Sequence, residues 1–132
     1  MNLKGLEAAL RKIFEEVHGC RFLVLIDAHE KSIVMDMWRK EIHERDKIRE
    51  SLLHILDYTV LERQKSARNP FIRKALQDFV SLTFEMERGY AVFTAIPSTR
   101  YVVASGISRE TGLGLWRATL KKSLEEMKDA GN

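Results

Sequence analysis

The chain has 132 residues, a mass of 15.3 kDa and a single cysteine, so it suits one domain with its own core and excludes a disulfide framework. Hydrophobic residues make up 45% of the sequence and charged residues 31%, which excludes an intrinsically disordered chain. The net charge of +3 allows an acidic partner but does not point specifically to nucleic acid.

Membrane insertion and secretion have no support in the sequence. The longest run of aliphatic and aromatic residues, 22–26, is too short to cross a bilayer. No basic segment precedes an apolar one near the start, so we expect no signal peptide and a cytoplasmic location. We also expect residues 1–132 to form a single domain.

The first predicted elements are a helix and a β-hairpin. Apolar residues recur at helical spacing from Leu3 to Val17, and Asn2 can cap this helix. Residues 22–26 are apolar on both faces, which predicts a central strand. Residues 33–38 alternate and predict its half-exposed hairpin partner.

A long second helix is predicted from about residue 39 to residue 66, where glycine and proline are absent. Seven of the ten residues 52–61 are apolar, which is more than one buried face requires. Such a helix would span about 42 Å, whereas a chain of this size has an expected diameter of about 36 Å. We therefore expect the second helix to cover its own core and also to contact a second protein surface.

The second half of the sequence predicts a meander followed by a helix. Its predicted elements are a short helix over 71–79, strands over 80–87, 90–96 and 101–107, and a last helix over 113–127. Inner strands that are apolar on both faces require helices on both faces of the sheet. The predicted fold is therefore an α/β (α+β) sandwich of order α-β-β-α-β-β-β-α. It has one five-stranded antiparallel sheet, two helices on one face and one long helix on the other.

Catalytic and metal-binding patterns are weak throughout. No GxxxxGKS or GxxxxGKT phosphate loop is present, and Gly112-Leu-Gly114 lacks the third glycine of a dinucleotide site. His18 and Cys20 could form a nucleophile pair only with a third orienting group, and a lone cysteine is usually a small buried residue. The histidines lack metal-ligand spacing. We expect no catalytic residue, no metal and no cofactor.

Two charged segments have alternative interpretations. Residues 63–74 contain five basic residues and no acidic one, as in a docking patch for an acidic protein or nucleic acid. A solvated helix end is favoured, because only Phe71 could stack on a base. Glu85 and Glu87 share one face of a predicted strand, where paired carboxylates could act in acid–base chemistry. A charged, solvated face or sheet edge is favoured, because the strand is half-exposed and Arg88 is adjacent. We expect no nucleic-acid partner.

Three segments resemble the Roadblock/dynein light chain family. They are Leu23-Val-Leu-Ile-Asp27, Phe84-Glu-Met-Glu-Arg-Gly89 and Gly112-Leu-Gly-Leu-Trp-Arg117. The order of elements is also similar, and the resemblance covers about residues 3–127. Two features depart from the family pattern: Ala28-His29-Glu30-Lys31 lacks the usual glycine of the first hairpin turn, and the segment between the second and third strands is longer.

The resemblance implies a profilin-like fold and a non-enzymatic regulatory or scaffold module. Such domains form homodimers in which the third strands pair across a twofold axis and the second helices pack together. They serve as platforms for small Ras-like GTPases, modulating the nucleotide cycle or the localisation of the GTPase. The residues assigned to the dimer and partner interface are Leu52, Leu53, Leu56, Val60, Arg49, Arg63, Ser81, Thr83 and Glu85. The expected charged rim is Arg45, Arg49, Arg63 and Lys65.

The sequence allows two other function classes. A PAS/GAF-like small-molecule sensor would need a pocket between sheet and helix, which Trp38, Tyr90, Tyr101 or Trp116 could line. An enzyme that uses Cys20 and His18 ranks last, because it would need Asp27 or Asp36 as the orienting group and the sequence does not show that either is near.

Overall fold

The computed structural model describes the backbone of residues 2–66 and 81–130 and the side chains of residues 2–57 and 81–127. The elements in chain order are α1 (Leu3–Glu16), β1 (Cys20–Asp27), β2 (Ser32–Trp38), α2 (Arg45–Ser66), β3 (Ser81–Met86), β4 (Gly89–Ala95), β5 (Tyr101–Ser108) and α3 (Leu113–Ala130). The short helix predicted over 71–79 and residue 80 of the predicted third strand lie outside the described residues.

The five strands form one antiparallel sheet in the order β2-β1-β5-β4-β3. The three strands whose sequences are apolar on both faces lie in the interior of the sheet; they are β1, β4 and β5. The two that alternate, β2 and β3, are its edges. Period-two alternation predicts this placement because an edge strand keeps one face in solvent. The predicted fold class and element order are confirmed.

Helices cover both faces of the sheet. On one face, α1 and α3 pack on a cluster that includes Leu6, Leu10, Ile13, Leu23, Leu25, Val103, Ile107, Trp116 and Leu120. On the other face, α2 packs on a cluster of Val24, Ile26, Leu52, Leu56, Phe93, Val102 and Ala104. Successive residues of β1 enter opposite clusters, because side chains alternate across a strand.

The start of α2 differs from the prediction, since the helix begins at Arg45 rather than near residue 39. The Arg39 N–H donates to the Arg21 carbonyl at 3.0 Å, which extends the hairpin, and the Ile42 N–H closes a turn onto the Arg39 carbonyl at 3.1 Å. Glu44 has a φ of 56°, a left-handed backbone conformation that cannot continue a right-handed helix, so the helix starts after it. The 22 residues of α2 span about 33 Å, so its length no longer argues for a second surface.

Arg39 instead closes the end of α1. Its guanidinium donates to the carbonyls of Phe14, Val17 (3.0 Å) and Cys20 (2.9 Å), and it lies 3.8 Å from the centre of the Phe14 ring. The last carbonyls of a helix lack partners within the helix and carry partial negative charge, so a cation stabilises them. Arg39 therefore ties the end of β2 to the end of α1.

Asp27 organises the turn between β1 and β2. It is 9% exposed, its Oδ1 accepts the N–H groups of His29 (2.9 Å) and Glu30 (3.0 Å), and Arg100 Nε donates to it from the β4–β5 turn. The hydrogen bond from Arg100 and the two backbone N–H groups hold the pKa of Asp27 below its usual range. Asp27 thus joins two turns at one end of the sheet.

Asp27→Asn should destabilise the protein at neutral pH and make its acid denaturation less steep. A carboxylate whose pKa is lower in the folded than in the unfolded state stabilises the fold above the unfolded-state pKa of about 3.9, and this stabilisation is lost as pH falls below that value. Urea unfolding at a series of pH values from 7 to 3 measures the slope of the free energy of unfolding against pH. Asp57→Asn, at an exposed carboxylate paired with Lys31 at 2.6 Å, is the control and should change the slope little. Equal slopes for wild type and Asp27→Asn would contradict the prediction.

Candidate partner-binding surface

The apolar residues predicted for the interface divide between core and surface. Leu52 and Leu56 are 4% and 6% exposed and belong to the core beneath α2. Leu53 is half-buried and packs at the margin of the same cluster. Val60 and Arg63 lie where no side chain is described. Leu53 is therefore the predicted apolar residue that the described part of α2 offers to a partner.

Arg49 is a link within the chain rather than a free charge. Its guanidinium donates to Asp36 of β2 and, at 2.6 Å, to Asp46 one turn earlier on α2. It also lies 5.2 Å from the centre of the Trp38 ring, which stacks on Phe22. Two carboxylates offset its charge, so Arg49 fixes α2 to β2 and contributes little to a charged rim.

The two edges of the sheet differ in their capacity to pair. Between β1 and β2 the register shifts, because Leu25 pairs with Met35 whereas Ile26 pairs with Ile33, which leaves Val34 as a bulge. Between β3 and β4 six consecutive positions pair without a shift. Bulges and inward-facing charges such as Asp36 protect an edge from further strands. Among the residues that the structure describes, the unprotected edge is β3.

The α2 side of β3 is apolar and only partly covered. Leu82 packs at the margin of the cluster beneath α2, whereas Phe84 and Met86 are 37% and 57% exposed. Phe84 lies edge-on to Phe93, with ring centres 6.0 Å apart. Among the described residues three large apolar side chains are exposed, and two of them share this face of β3. Clustered exposed apolar side chains mark interaction surfaces.

The opposite face of β3 carries the polar residues predicted for the interface, and the chain itself contacts two of them. Thr83 Oγ1 accepts from Arg117 Nη2 at 2.6 Å, and Glu85 accepts from Arg109 Nη1 at 3.1 Å. Ser81 Oγ is buried without a hydrogen-bond partner among the described residues. Sequence reasoning did not connect either arginine to β3, because no spacing pattern reveals these contacts.

The aromatic residues proposed for a sensor pocket do not line one cavity. Trp116 is fully buried with Tyr90 and Tyr101 packed against the same cluster, on the α1 and α3 side of the sheet. Trp38 packs on the α2 side. A groove of about 540 Å³ between α1 and α3 is lined by Ala9, Lys12, Glu16, Thr119, Lys122, Ser123, Glu126 and Met127. None of the four aromatic residues reaches this groove.

Metal-binding and membrane-spanning features are absent from the part of the chain that the structure describes. No three His, Cys, Asp or Glu side chains there are placed to hold a metal ion. No helix in that part is both long and apolar enough to cross a bilayer.

Cys20 is fully buried, and its thiol donates to the Phe22 carbonyl at 3.3 Å. Burial raises the pKa of the thiol to about 12, against a smaller lowering effect from Arg39. Because the thiolate is the reactive form, a thiol with this pKa is a poor nucleophile at neutral pH. The geometry favours a structural role for Cys20.

Cys20→Ala should leave partner binding unchanged and lower the free energy of unfolding by about 1 kcal/mol, since it removes one small buried group. Urea denaturation and a binding titration measure the two effects. In the native wild type, a thiol reagent should label Cys20 only at the rate of unfolding. Rapid labelling, or loss of binding with an unchanged fold, would contradict the structural role.

Comparisons with known proteins identify the fold. No model of a known protein family matches the sequence, and no curated protein matches it. Solved structures do match. MglB from Myxococcus xanthus aligns with a TM-score of 0.69 and 17% identity, over 98% of this chain and 97% of that chain.

Two further structures agree. A Roadblock/LC7 domain from Streptomyces avermitilis aligns with a TM-score of 0.66 and 11% identity, over 91% of this chain and 92% of that one. An MglB with a tetrameric arrangement aligns with a TM-score of 0.60 and 15% identity, over 96% and 90% of the two chains. The chain therefore has a Roadblock/LC7 domain fold, and the resemblance seen in the sequence is confirmed at the level of fold.

Proposed function

We propose that this chain, which has the Roadblock/LC7 fold, is a non-enzymatic regulatory or scaffold module that forms a homodimer and binds a small Ras-like GTPase. As a single domain over residues 1–132 acting in the cytoplasm, it would modulate the nucleotide cycle or the localisation of that GTPase. The observation that carries the proposal is the regular, unprotected edge of β3 beside the exposed side chains of Phe84 and Met86. The tetrameric arrangement of a similar MglB supports self-association.

Pairing of two β3 strands would give partners to the backbone groups of this edge and cover its exposed apolar side chains. Two five-stranded sheets joined at β3 form one sheet of ten strands, with the unpaired N–H and C=O groups of each edge strand hydrogen-bonded. Antiparallel pairing of the two strands places the twofold axis perpendicular to the sheet, which brings both α2 helices onto the same face. Phe84 and Met86 of each copy would then lie between the two helices and lose their exposure to water.

The paired α2 helices would provide the surface for the GTPase. Two copies related by a twofold axis leave a shallow groove along that axis, which suits a globular partner better than a small molecule. An asymmetric partner on the axis excludes a second one, so we expect one GTPase for two chains. The GTPase must supply the phosphate loop, because this sequence has none.

The experiment is a titration of the chain with Ras-like GTPases loaded with GDP or with a GTP analogue, at low and high salt. We expect binding that favours one nucleotide state. Arg63→Glu should slow association several-fold at low salt, because rim charges act mainly on the association rate. Lys122→Glu, on the opposite face of the sheet, is the control and should change nothing. Arg49→Glu is a poor test, since it would place a third carboxylate beside Asp36 and Asp46.

Absence of binding by Ras-like GTPases in either nucleotide state would overturn the GTPase proposal. Equal slowing by Arg63→Glu and Lys122→Glu would show that the α2 surface is the wrong site. A thermal scan with small molecules then tests the sensor alternative, which predicts a rise in unfolding temperature with a bound ligand.

A further inference from the structure

Arg109 holds the end of β3 from the side of the sheet that α1 and α3 cover. It follows β5 directly, and its Nε donates to the Glu87 carbonyl at 2.8 Å. Its Nη2 donates to the Met86 carbonyl at 2.6 Å, and its Nη1 contacts Glu85 Oε1 at 3.1 Å. One guanidinium thus contacts three consecutive residues at the turn between β3 and β4.

Arg117 holds the middle of the same strand. It lies in the first two turns of α3, and its Nη2 donates to Thr83 Oγ1 at 2.6 Å. Both arginine side chains act on the polar face of β3. The outer edge and the apolar face of the strand, with Phe84 and Met86, stay uncovered among the described residues.

These contacts matter because β3 is an edge strand with one neighbouring strand, β4. A second strand can add to an edge only where successive N–H and C=O groups are extended and in register. Ordering such a strand during association lowers the affinity, and a strand that is already ordered avoids that loss. Arg109 and Arg117 order the strand without occupying the surfaces that a partner would use.

We propose that Arg109 and Arg117 are positioning residues for self-association, which keep β3 ready to pair with the β3 of a second copy. The proposal rests on the proposed homodimer. Arg109 has a second effect in this arrangement, because joining two identical edges brings two copies of Glu85 onto one sheet, and each Arg109 offsets one of these charges. Neither arginine needs to contact the partner.

The first test compares Arg109→Ala with Arg88→Ala by sedimentation over a range of concentrations. Arg88 is exposed in the same turn and has no hydrogen bond or ion pair among the described residues, so it is a matched control. We expect Arg109→Ala to raise the dimer dissociation constant about tenfold, as for a lost hydrogen bond to a charged group. Arg88→Ala should leave it within about twofold. At concentrations where all variants are monomeric, the far-ultraviolet circular dichroism should stay native-like, which separates a weaker dimer from a loss of the fold.

The second test asks whether Arg117 acts through Thr83. Arg117→Ala and Thr83→Val should each weaken the dimer, and the double variant should weaken it no further than either alone. Additive effects would mean that the two residues act separately and would overturn the positioning role of Arg117. A lowered monomer midpoint with an unchanged dissociation constant would show a merely structural role. A monomeric wild type would overturn the proposed homodimer together with this inference, whereas unchanged dimerisation in Arg109→Ala would overturn the inference alone.

Discussion

Met86→Lys should convert the dimer into monomers at micromolar concentration. Met86 is 57% exposed on the unprotected edge strand, so a lysine there can stay in water in the single chain and need not disturb its core. In a dimer paired through β3, the ammonium group would be buried without a partner, at a cost of several kcal/mol. We expect the dissociation constant to rise about 100-fold or more. Sedimentation equilibrium measures this change.

Leu115→Lys is the matched control for Met86→Lys. Leu115 is 62% exposed, and it lies on α3 two residues before Arg117. Residues two apart on a helix point about 200° apart, so Leu115 points away from the side chain that reaches β3. The same substitution at a similar exposure should leave the dimer intact. If Leu115→Lys dissociated the dimer and Met86→Lys did not, the β3 edge would be the wrong interface.

Arg39→Ala should lower the free energy of unfolding by about 3 kcal/mol, because it removes the guanidinium hydrogen bonds to the carbonyls of Phe14 and Val17, at the end of α1, and of Cys20, at the start of β1. It also removes the guanidinium from the face of the Phe14 ring. Urea denaturation measures the loss. Arg39→Lys should recover only part of the stability, because an ammonium group is a point charge without the planar fork of a guanidinium.

Lys40→Ala controls for the removal of a neighbouring basic side chain. Lys40 is exposed in the turn that follows Arg39, so its replacement should change the free energy of unfolding by less than about 0.5 kcal/mol. A loss below about 1 kcal/mol in Arg39→Ala would show that water replaces the guanidinium at these carbonyls.

Patterns that repeat along the chain predicted most of the fold. The apolar stripe of α1 predicts one buried face, and the continuous apolar residues of β1 and β5 predict burial on both faces. These predictions hold because side chains repeat at a regular period along a helix or strand. The start of α2 escaped prediction. Residues 39–44 have good local helix propensity, yet Arg39 contacts carbonyls 19 to 25 positions earlier, and such contacts have no local signature.

The sequence predicted the candidate surface less completely than it predicted the fold. Alternation along β3 correctly separates Leu82, Phe84 and Met86 from Thr83 and Glu85, but it does not show how far α2 covers the apolar face. The wide apolar stripe of α2 likewise does not show that Leu52 and Leu56 face the core of the same chain, between α2 and the sheet. The bulge at Val34, which separates the protected edge from the unprotected one, depends on pairing between strands.

The mass of the complex between this chain and a nucleotide-loaded Ras-like GTPase tests the central claim most directly. Native mass spectrometry or light scattering at micromolar concentration should give one GTPase bound to two copies of the 15.3 kDa chain. With Met86→Lys the complex should be lost or reduced to a weak assembly of one chain with one GTPase. A wild-type chain that stays at 15.3 kDa, with and without GTPases in either nucleotide state, would contradict the proposed dimeric GTPase-binding module.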